Sequence, residues 1–217
     1  MFSNFTGYSI RGKTKGKLKH WAVLFEEWCI AHERYCRVTK DEAAFWYRER
    51  ANVGVLAAAA WRCGWVALEE FGTQKTDRSA PTQADVEELN WKYGRADLFI
   101  GSENHEEWIE AKFNWASLNS TDLVGQINKS FKKAVDDANC LKGDQEGRYI
   151  AISFISFYIK PKTIEEIDNK INEAINQFNN VDFDACAWVF PEILKETELD
   201  SYGNKRVGVA MFVKVVD

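Results

Sequence analysis

Apolar residues recur at helical spacing in three segments of the chain, residues 18–38, 123–141 and 164–178. In each segment the three- and four-residue steps place the apolar side chains on one face of a helix. A further helix is predicted over residues 40–63, because Thr39 is a suitable capping residue and the second half of the segment is apolar on nearly every side. The pattern therefore predicts four helices.

Shorter apolar runs predict strands. They cover residues 65–71, 96–100, 108–113, 149–159, 185–190 and 207–216. A turn over residues 101–105 joins the second and third strands, whereas the polar stretch 72–94 is expected to form the longest loop. The order α-α-β-β-β-α-β-α-β-β predicts an α/β fold in which a mixed central sheet is flanked by helices.

Composition agrees with one folded domain over residues 1–217. The chain has 217 residues, of which 46% are hydrophobic and only three are proline, a composition typical of a globular protein with a large core. We expect a core over about residues 40–160 and an accessory C-terminal layer over about 161–217. No apolar run reaches the length of a membrane span, and the five scattered cysteines form no Cys-x-x-Cys pair. A cytoplasmic protein is therefore expected.

Charge and motifs exclude several classes of function. The net charge of −5 disfavours a protein that coats nucleic acid nonspecifically, although the basic segment 11–20 could contact a phosphate backbone. The three histidines show no spacing that suits zinc. The motifs of P-loop ATPases, dinucleotide-binding folds and serine esterases do not occur.

Three charged residues lie inside apolar, strand-like sequence. Asp97 belongs to one predicted strand, and Glu110 and Lys112 belong to the next. Glu110 and Lys112 are two residues apart and share a face, so a hairpin would bring Asp97 close to both. Buried charges are costly unless they are paired or bind a metal. Oxygen ligands from Asp97, Glu110 and the Ala111 carbonyl suit Mg²⁺, or Mn²⁺ as a substitute, and Lys112 could orient water, act as a base or offset charge on a phosphate.

This arrangement resembles the PD-(D/E)XK nuclease superfamily, whose pattern is an Asp on one strand followed by (Asp/Glu)-x-Lys on the next. Asp97 and Glu110-Ala111-Lys112 match that pattern, while Ala96 replaces the proline that often precedes the Asp. The resemblance implies a restriction endonuclease-like core and a Mg²⁺-dependent endonuclease that hydrolyses phosphodiester bonds, most often in double-stranded DNA. It also allows a homodimer. The alternative is a catalytically silent module of the same fold that serves nucleic-acid binding or protein assembly.

The resemblance extends to residues outside the strands. The family often carries a further carboxylate on the preceding helix, and Glu49 is the best match for this metal-binding and catalytic position, with Glu42 and Glu69 as alternatives. A polar residue on the following helix would correspond to Gln126, supported by Lys129. Trp91 and Trp115 flank the motif in polar sequence and are candidates for contact with bases.

Overall fold

The computed structural model describes residues 5–12, 15–76, 91–141 and 146–216. The strands are β1 Gly7–Ile10, β2 Val66–Thr76, β3 Trp91–Ser102, β4 His105–Ser117, β5 Arg148–Ile159, β6 Ala185–Val189 and β7 Lys205–Val216. The helices are α1 Lys15–Leu18, α2 Trp21–Thr39, α3 Arg48–Arg62, α4 Leu123–Leu141 and α5 Ile164–Gln177. Short 3₁₀ turns occupy Ala44–Tyr47, Phe178–Asn180 and Glu192–Lys195.

All seven strands form one sheet in the order β1-β6-β7-β5-β4-β3-β2. The pair β4 and β5 is parallel and the other neighbours are antiparallel. Helix α4 makes the crossover that a parallel pair requires. The prediction of an α/β fold with a mixed sheet flanked by helices is confirmed.

The helices cover both faces of the sheet. On one face α2 and α3 pack on β4, β5 and β7 through a core that includes Trp28, Leu56, Ile109, Ile152 and Met211. On the other face α4 and α5 pack through a second core that includes Ile127, Phe131, Ile171, Phe157 and Phe212. Because successive strand residues point to opposite faces, each central strand contributes to both cores.

The helix predicted to begin at residue 40, directly after Thr39, begins eight residues later, at Arg48. The Thr39 hydroxyl lies 2.9 Å from the carbonyl oxygens of Tyr35 and Glu42 and can donate to either, so this residue belongs to the end of α2 and does not cap α3. Lys40 and Arg48 both have positive φ angles, of 70° and 66°. Between them a 3₁₀ turn buries Phe45 completely, and burial of that ring accounts for the interruption better than local helix propensity does.

Strand pairing also extends further than predicted. Residues 72–76 and 91–94, expected in a loop, continue β2 and β3, while residues 77–90 lie outside the described part of the chain. Strand β1, which was not predicted, pairs with β6. The five cysteines are free. Among the described residues, no helix has both the length and the apolar character needed to cross a membrane.

Candidate active site

Strands β3 and β4 separate at Asp97. Their ladder runs from the pair Ser102 and His105 to the pair Leu98 and Ile109. Beyond this point β4 continues alongside β5, whereas residues 91–96 of β3 pair only with residues 71–76 of β2. We call the opening between β3 and β4 the split, and the two-stranded extension of β2 and β3 the arm. The predicted hairpin is thus present, with its strands diverging at the predicted aspartate.

Two carboxylates bond the backbone of β4 inside the split. The Ala111 N–H donates to Asp97 Oδ2 at 2.7 Å, and the Phe113 N–H donates to the carboxylate of Glu49 at the start of α3. Both amides lie on the stretch of β4 that has no partner in β3. Side-chain oxygens therefore satisfy backbone donors that a longer ladder would otherwise have paired.

Lys112 of β4 is held in place by a residue of helix α4. Its Nζ donates to the Ala111 carbonyl at 2.8 Å and pairs with Asp137 Oδ2 at 2.9 Å. Burial opposes the charged form of Lys112, but the hydrogen bond and charge of Asp137, with the charges of Asp97 and Glu49, raise its pKa above the ordinary value. The ammonium group is therefore charged at neutral pH in this arrangement.

Glu110 is the most buried charged residue of the three-residue motif, with a side chain that is only 3% exposed. Its Oε1 accepts a hydrogen bond from Lys75 Nζ at 2.6 Å, across the sheet from β2. Burial and the neighbouring charge of Asp97 raise the pKa of Glu110 to about 7, against the opposing effect of Lys75 and Lys112. Burial is the larger cause of this pKa shift, and the two lysines nearby do not offset it.

Glu49 is the helix carboxylate that joins this group. Burial and the charges of Asp97 and Asp137 raise its pKa, while Lys112 and the Phe113 amide oppose that shift. The alternatives lie elsewhere: Glu42 interacts with Tyr47, and the Glu69 carboxylate lies beside Gly54 of α3. Only Glu49, among the three, interacts with the strand residues of the motif in the described structure.

We call this set of charged residues the cluster. Its members are Glu49, Asp97, Glu110, Asp137, Lys75 and Lys112. Four carboxylates against two ammonium groups leave two negative charges in excess when all are ionised. One divalent cation would balance that excess.

Two members of the cluster were not predicted, and one predicted residue lies apart. Gln126 donates to the Ser120 hydroxyl at 2.9 Å near the start of α4. Asp137, which contacts Lys112, follows eleven residues later on the same helix, about 16 Å further along the axis at 1.5 Å per residue. Asp137 could have been identified from helical spacing. Eleven residues make about three turns, so Asp137 lies on the same face of α4 as Gln126.

Charged residues of the basic segment have partners within the protein. The Arg11 guanidinium donates to the carbonyls of Val181 and Phe178 and stacks over the Phe183 ring. The His20 ring nitrogen lies 2.9 Å from the buried Glu107 carboxylate. Lys13 and Thr14 lie outside the described residues. Arg11 and His20 thus serve packing of the described chain, and the segment's contact with a phosphate backbone stays a prediction.

Trp115, one of the two tryptophans proposed for base contact, lies outside the cluster. The Trp115 ring packs on Phe113 and Tyr158, with the Arg206 guanidinium 5.2 Å from its centroid. Because residue 115 is an odd number of positions from Lys112, its side chain is on the opposite face of β4. The side chain of Trp91 lies outside the described part of the structure.

Oxygen atoms suited to a hard cation meet in the split. Asp97 and Glu110 offer carboxylates, and the Ala111 carbonyl faces the same opening, since Lys112 Nζ reaches it there. Within the described residues, no three His, Cys, Asp or Glu side chains are gathered as ready ligands for one ion. Two carboxylates and a carbonyl still fit Mg²⁺, which keeps several waters when protein-bound. Comparisons of the chain with protein-family models, curated proteins and solved structures give no match.

Proposed function

We propose that this protein is a Mg²⁺-dependent nuclease of the PD-(D/E)XK type that cleaves phosphodiester bonds in DNA, as an endonuclease. The observation that supports this most is the meeting of Asp97, Glu110, Lys112 and the helix carboxylate Glu49 at the split. The residue types and their order along the chain resemble that superfamily, and the resemblance is the ground for choosing DNA as substrate.

The cluster suits a cation as well as a substrate phosphate. Asp97, Glu110 and the Ala111 carbonyl would hold Mg²⁺, with Glu49 positioned as a further oxygen donor at the edge of the split. Bound there, the ion would supply Lewis-acid polarisation of the phosphate and lower the pKa of a water molecule. The two excess negative charges of the cluster favour a divalent over a monovalent ion.

Three side chains of the protein would orient the backbone at the split and stabilise charge on the substrate phosphate. Lys112 is an ammonium donor held in place by Asp137, and its side chain is 27% exposed, so it can donate to an oxygen of an entering phosphate. Such a donor stabilises negative charge that develops in the transition state. Asp97 holds the Ala111 amide, which fixes the carbonyl of the same residue in the split. Glu49 holds the next free amide of β4, that of Phe113.

Isosteric variants test the proposal with supercoiled plasmid and Mg²⁺, Mn²⁺ or EDTA. Asp97→Asn, Glu110→Gln and Lys112→Met should each lower the cleavage rate by about 10²-fold or more, and EDTA should abolish cleavage. Glu106→Gln is the matched control, because Glu106 is exposed on the same strand. A wild-type rate in Asp97→Asn or Glu110→Gln would refute the assignment of the metal site.

One observation favours a second candidate, the catalytically silent module. Asp97, Glu49 and Glu110 already have hydrogen-bond partners within the protein, in Ala111, Phe113 and Lys75. A cluster whose carboxylates are already hydrogen-bonded within the protein can stabilise the fold without binding a metal. Calorimetric titration with Mn²⁺ separates the two: no heat of binding, no cleavage and retained DNA binding would favour the module.

A further inference from the structure

We propose that Lys75 is a resident counter-ion of the metal site: its ammonium group neutralises Glu110 in the metal-free protein and leaves that carboxylate when a divalent cation binds. This inference rests on the proposed metal site. It adds a residue that lies on β2, 22 positions before Asp97, and that the three-residue motif does not include.

The arm leaves space for the Lys75 side chain to reach Glu110. Lys75 starts on β2, and Glu110 lies on β4, so the side chain must cross β3 to reach it. It crosses over Gly94, where an added Cβ would lie 2.8 Å from Lys75 Cδ and 2.9 Å from Cγ. Any side chain at position 94 would therefore compete with the lysine stem for the same space.

The contact between Lys75 and Glu110 is close and shielded. Nζ lies 2.6 Å from Oε1, and the two side chains are 18% and 3% exposed. Ion pairs with so little water around them are screened weakly. For the same reason, two cations bound to one buried carboxylate repel each other strongly. A metal ion that takes Glu110 as a ligand therefore displaces the lysine, rather than sharing the carboxylate with it.

When a cation displaces it from Glu110, the Lys75 ammonium group would remain beside the split, because Lys75 belongs to the arm. The ammonium group would lose its carboxylate partner at the moment when the site becomes ready for substrate. A phosphate oxygen is the acceptor that fits a freed lysine at that place. The exchange thus couples occupation of the metal site to the presentation of a second lysine, in addition to Lys112.

Chemical labelling of the full chain tests the exchange without measuring cleavage. Brief reductive methylation in EDTA or in Mg²⁺, followed by peptide mass spectrometry, reports how readily each lysine amine reacts. Mg²⁺ should raise the labelling rate of Lys75 roughly fivefold, which corresponds to about 1 kcal/mol of lost ion pairing. Lys170, which pairs with Glu173 on α5, is the internal reference and should not change. An unchanged rate at Lys75 would overturn the exchange.

Two variants keep this outcome separate from failure of the metal site itself. In Glu110→Gln only a neutral amide oxygen remains to accept from Lys75, so labelling of Lys75 should be faster than in the wild type in EDTA and independent of Mg²⁺. In Lys75→Met, Mn²⁺ should still give a heat of binding in alkaline buffer, where Glu110 is ionised; loss of binding there would show that Lys75 supports the metal-bound state, against the proposal. Absence of any Glu110-dependent heat in the wild type would refute the proposed metal site, and the exchange with it.

Discussion

Glu110 is the residue whose charge depends most on pH within the cluster. Burial and Asp97 raise its pKa from 4.5 to about 7. The folded protein therefore binds more protons than the unfolded chain between these two values. The stability that protonated Glu110 contributes is fully present below about pH 4.5 and is lost as pH rises through about 7. At higher pH the ionised carboxylate is a destabilising feature of the metal-free protein.

Glu110→Gln should remove this dependence, because glutamine stays neutral and its amide oxygen can still accept from Lys75. In EDTA at about pH 8 the variant should melt roughly 2–6 °C above the wild type. At about pH 4, below both pKa values, the two should melt together. Thermal unfolding followed by circular dichroism at both pH values measures the difference, and an equal Tm shift at the two values would contradict the raised pKa.

The charged residues of the cluster were predictable to different degrees. Period-two alternation is enough to place Glu110 and Lys112 on one face, because Ile109 and Ala111 must enter the core. Lys75 could not be predicted, since its segment is polar and was expected to be a loop. Its contact depends on strand pairing and on the space over Gly94.

Among the secondary-structure elements, the split of β3 from β4 creates the site. A fully paired hairpin would use the amides of Ala111 and Phe113 in its ladder and leave no opening. Here the pair Glu70 and Asp97 is missing from the ladder of β2 and β3, and Glu70 has a φ of 47°. Such a backbone angle is strained for a residue other than glycine. The β2 and β3 ladder is thus irregular at Asp97, the residue at which β3 leaves β4.

Hydrogen exchange should detect the carboxylates that replace strand pairing. Glu49→Ala removes the acceptor of the Phe113 amide, so exchange at Phe113 should accelerate about five- to tenfold, as expected for the loss of one hydrogen bond. Ile109, which is paired with Leu98, should keep its rate. Glu49→Gln is the control, because its side-chain oxygen can still accept. Equal acceleration in both variants would indicate general loosening of α3.

Element boundaries were predicted best where an amphipathic pattern was long. Helix α4 begins and ends where its periodicity does. The start of α3 was predicted too early, because Phe45 is buried in a 3₁₀ turn that helical spacing cannot distinguish from a helix. Strand β1 was missed because its four residues carry no alternating burial, and only pairing with β6 makes it a strand.

On the scale of the whole molecule, a buried charge network ties the N-terminal helices to the sheet. Glu107 of β4 is 1% exposed and accepts from Trp21 Nε1 at 2.7 Å and from His20 at 2.9 Å. Arg148 of β5 lies 3.5 Å from the same carboxylate. His20 also stacks on His105, with ring centroids 3.9 Å apart. One carboxylate thus connects α2 with two neighbouring strands.

Loss of this connection should be costly. Glu107→Ala leaves the Trp21 indole without its acceptor and the Arg148 guanidinium without the carboxylate 3.5 Å away, and should lower the free energy of unfolding by about 3 kcal/mol. Glu106→Ala, one residue away and exposed, should change it by no more than about 0.5 kcal/mol. Urea unfolding of the two variants measures the difference. Similar values for both would show that the network contributes little.

The fold class could be predicted from the order of elements, whereas the order of strands in the sheet could not. Alternation of helices and strands requires a sheet covered on both faces. The place of β1 and β6 at one edge and β2 at the other depends on pairings between residues far apart in sequence. No local pattern encodes those pairings.

The passage of Lys75 over Gly94 has a consequence for libraries of random variants. A side chain at position 94 would meet the flexible stem of a lysine, which can swing away, so the fold should accept many substitutions there. A screen for soluble, folded protein should therefore score position 94 as permissive. A screen for the proposed DNA cleavage should score it as restrictive, because a side chain there takes the space through which Lys75 would present its ammonium group beside the split. Gly94, an uncharged residue outside the motif, would then tolerate substitution under selection for folding but not under selection for function.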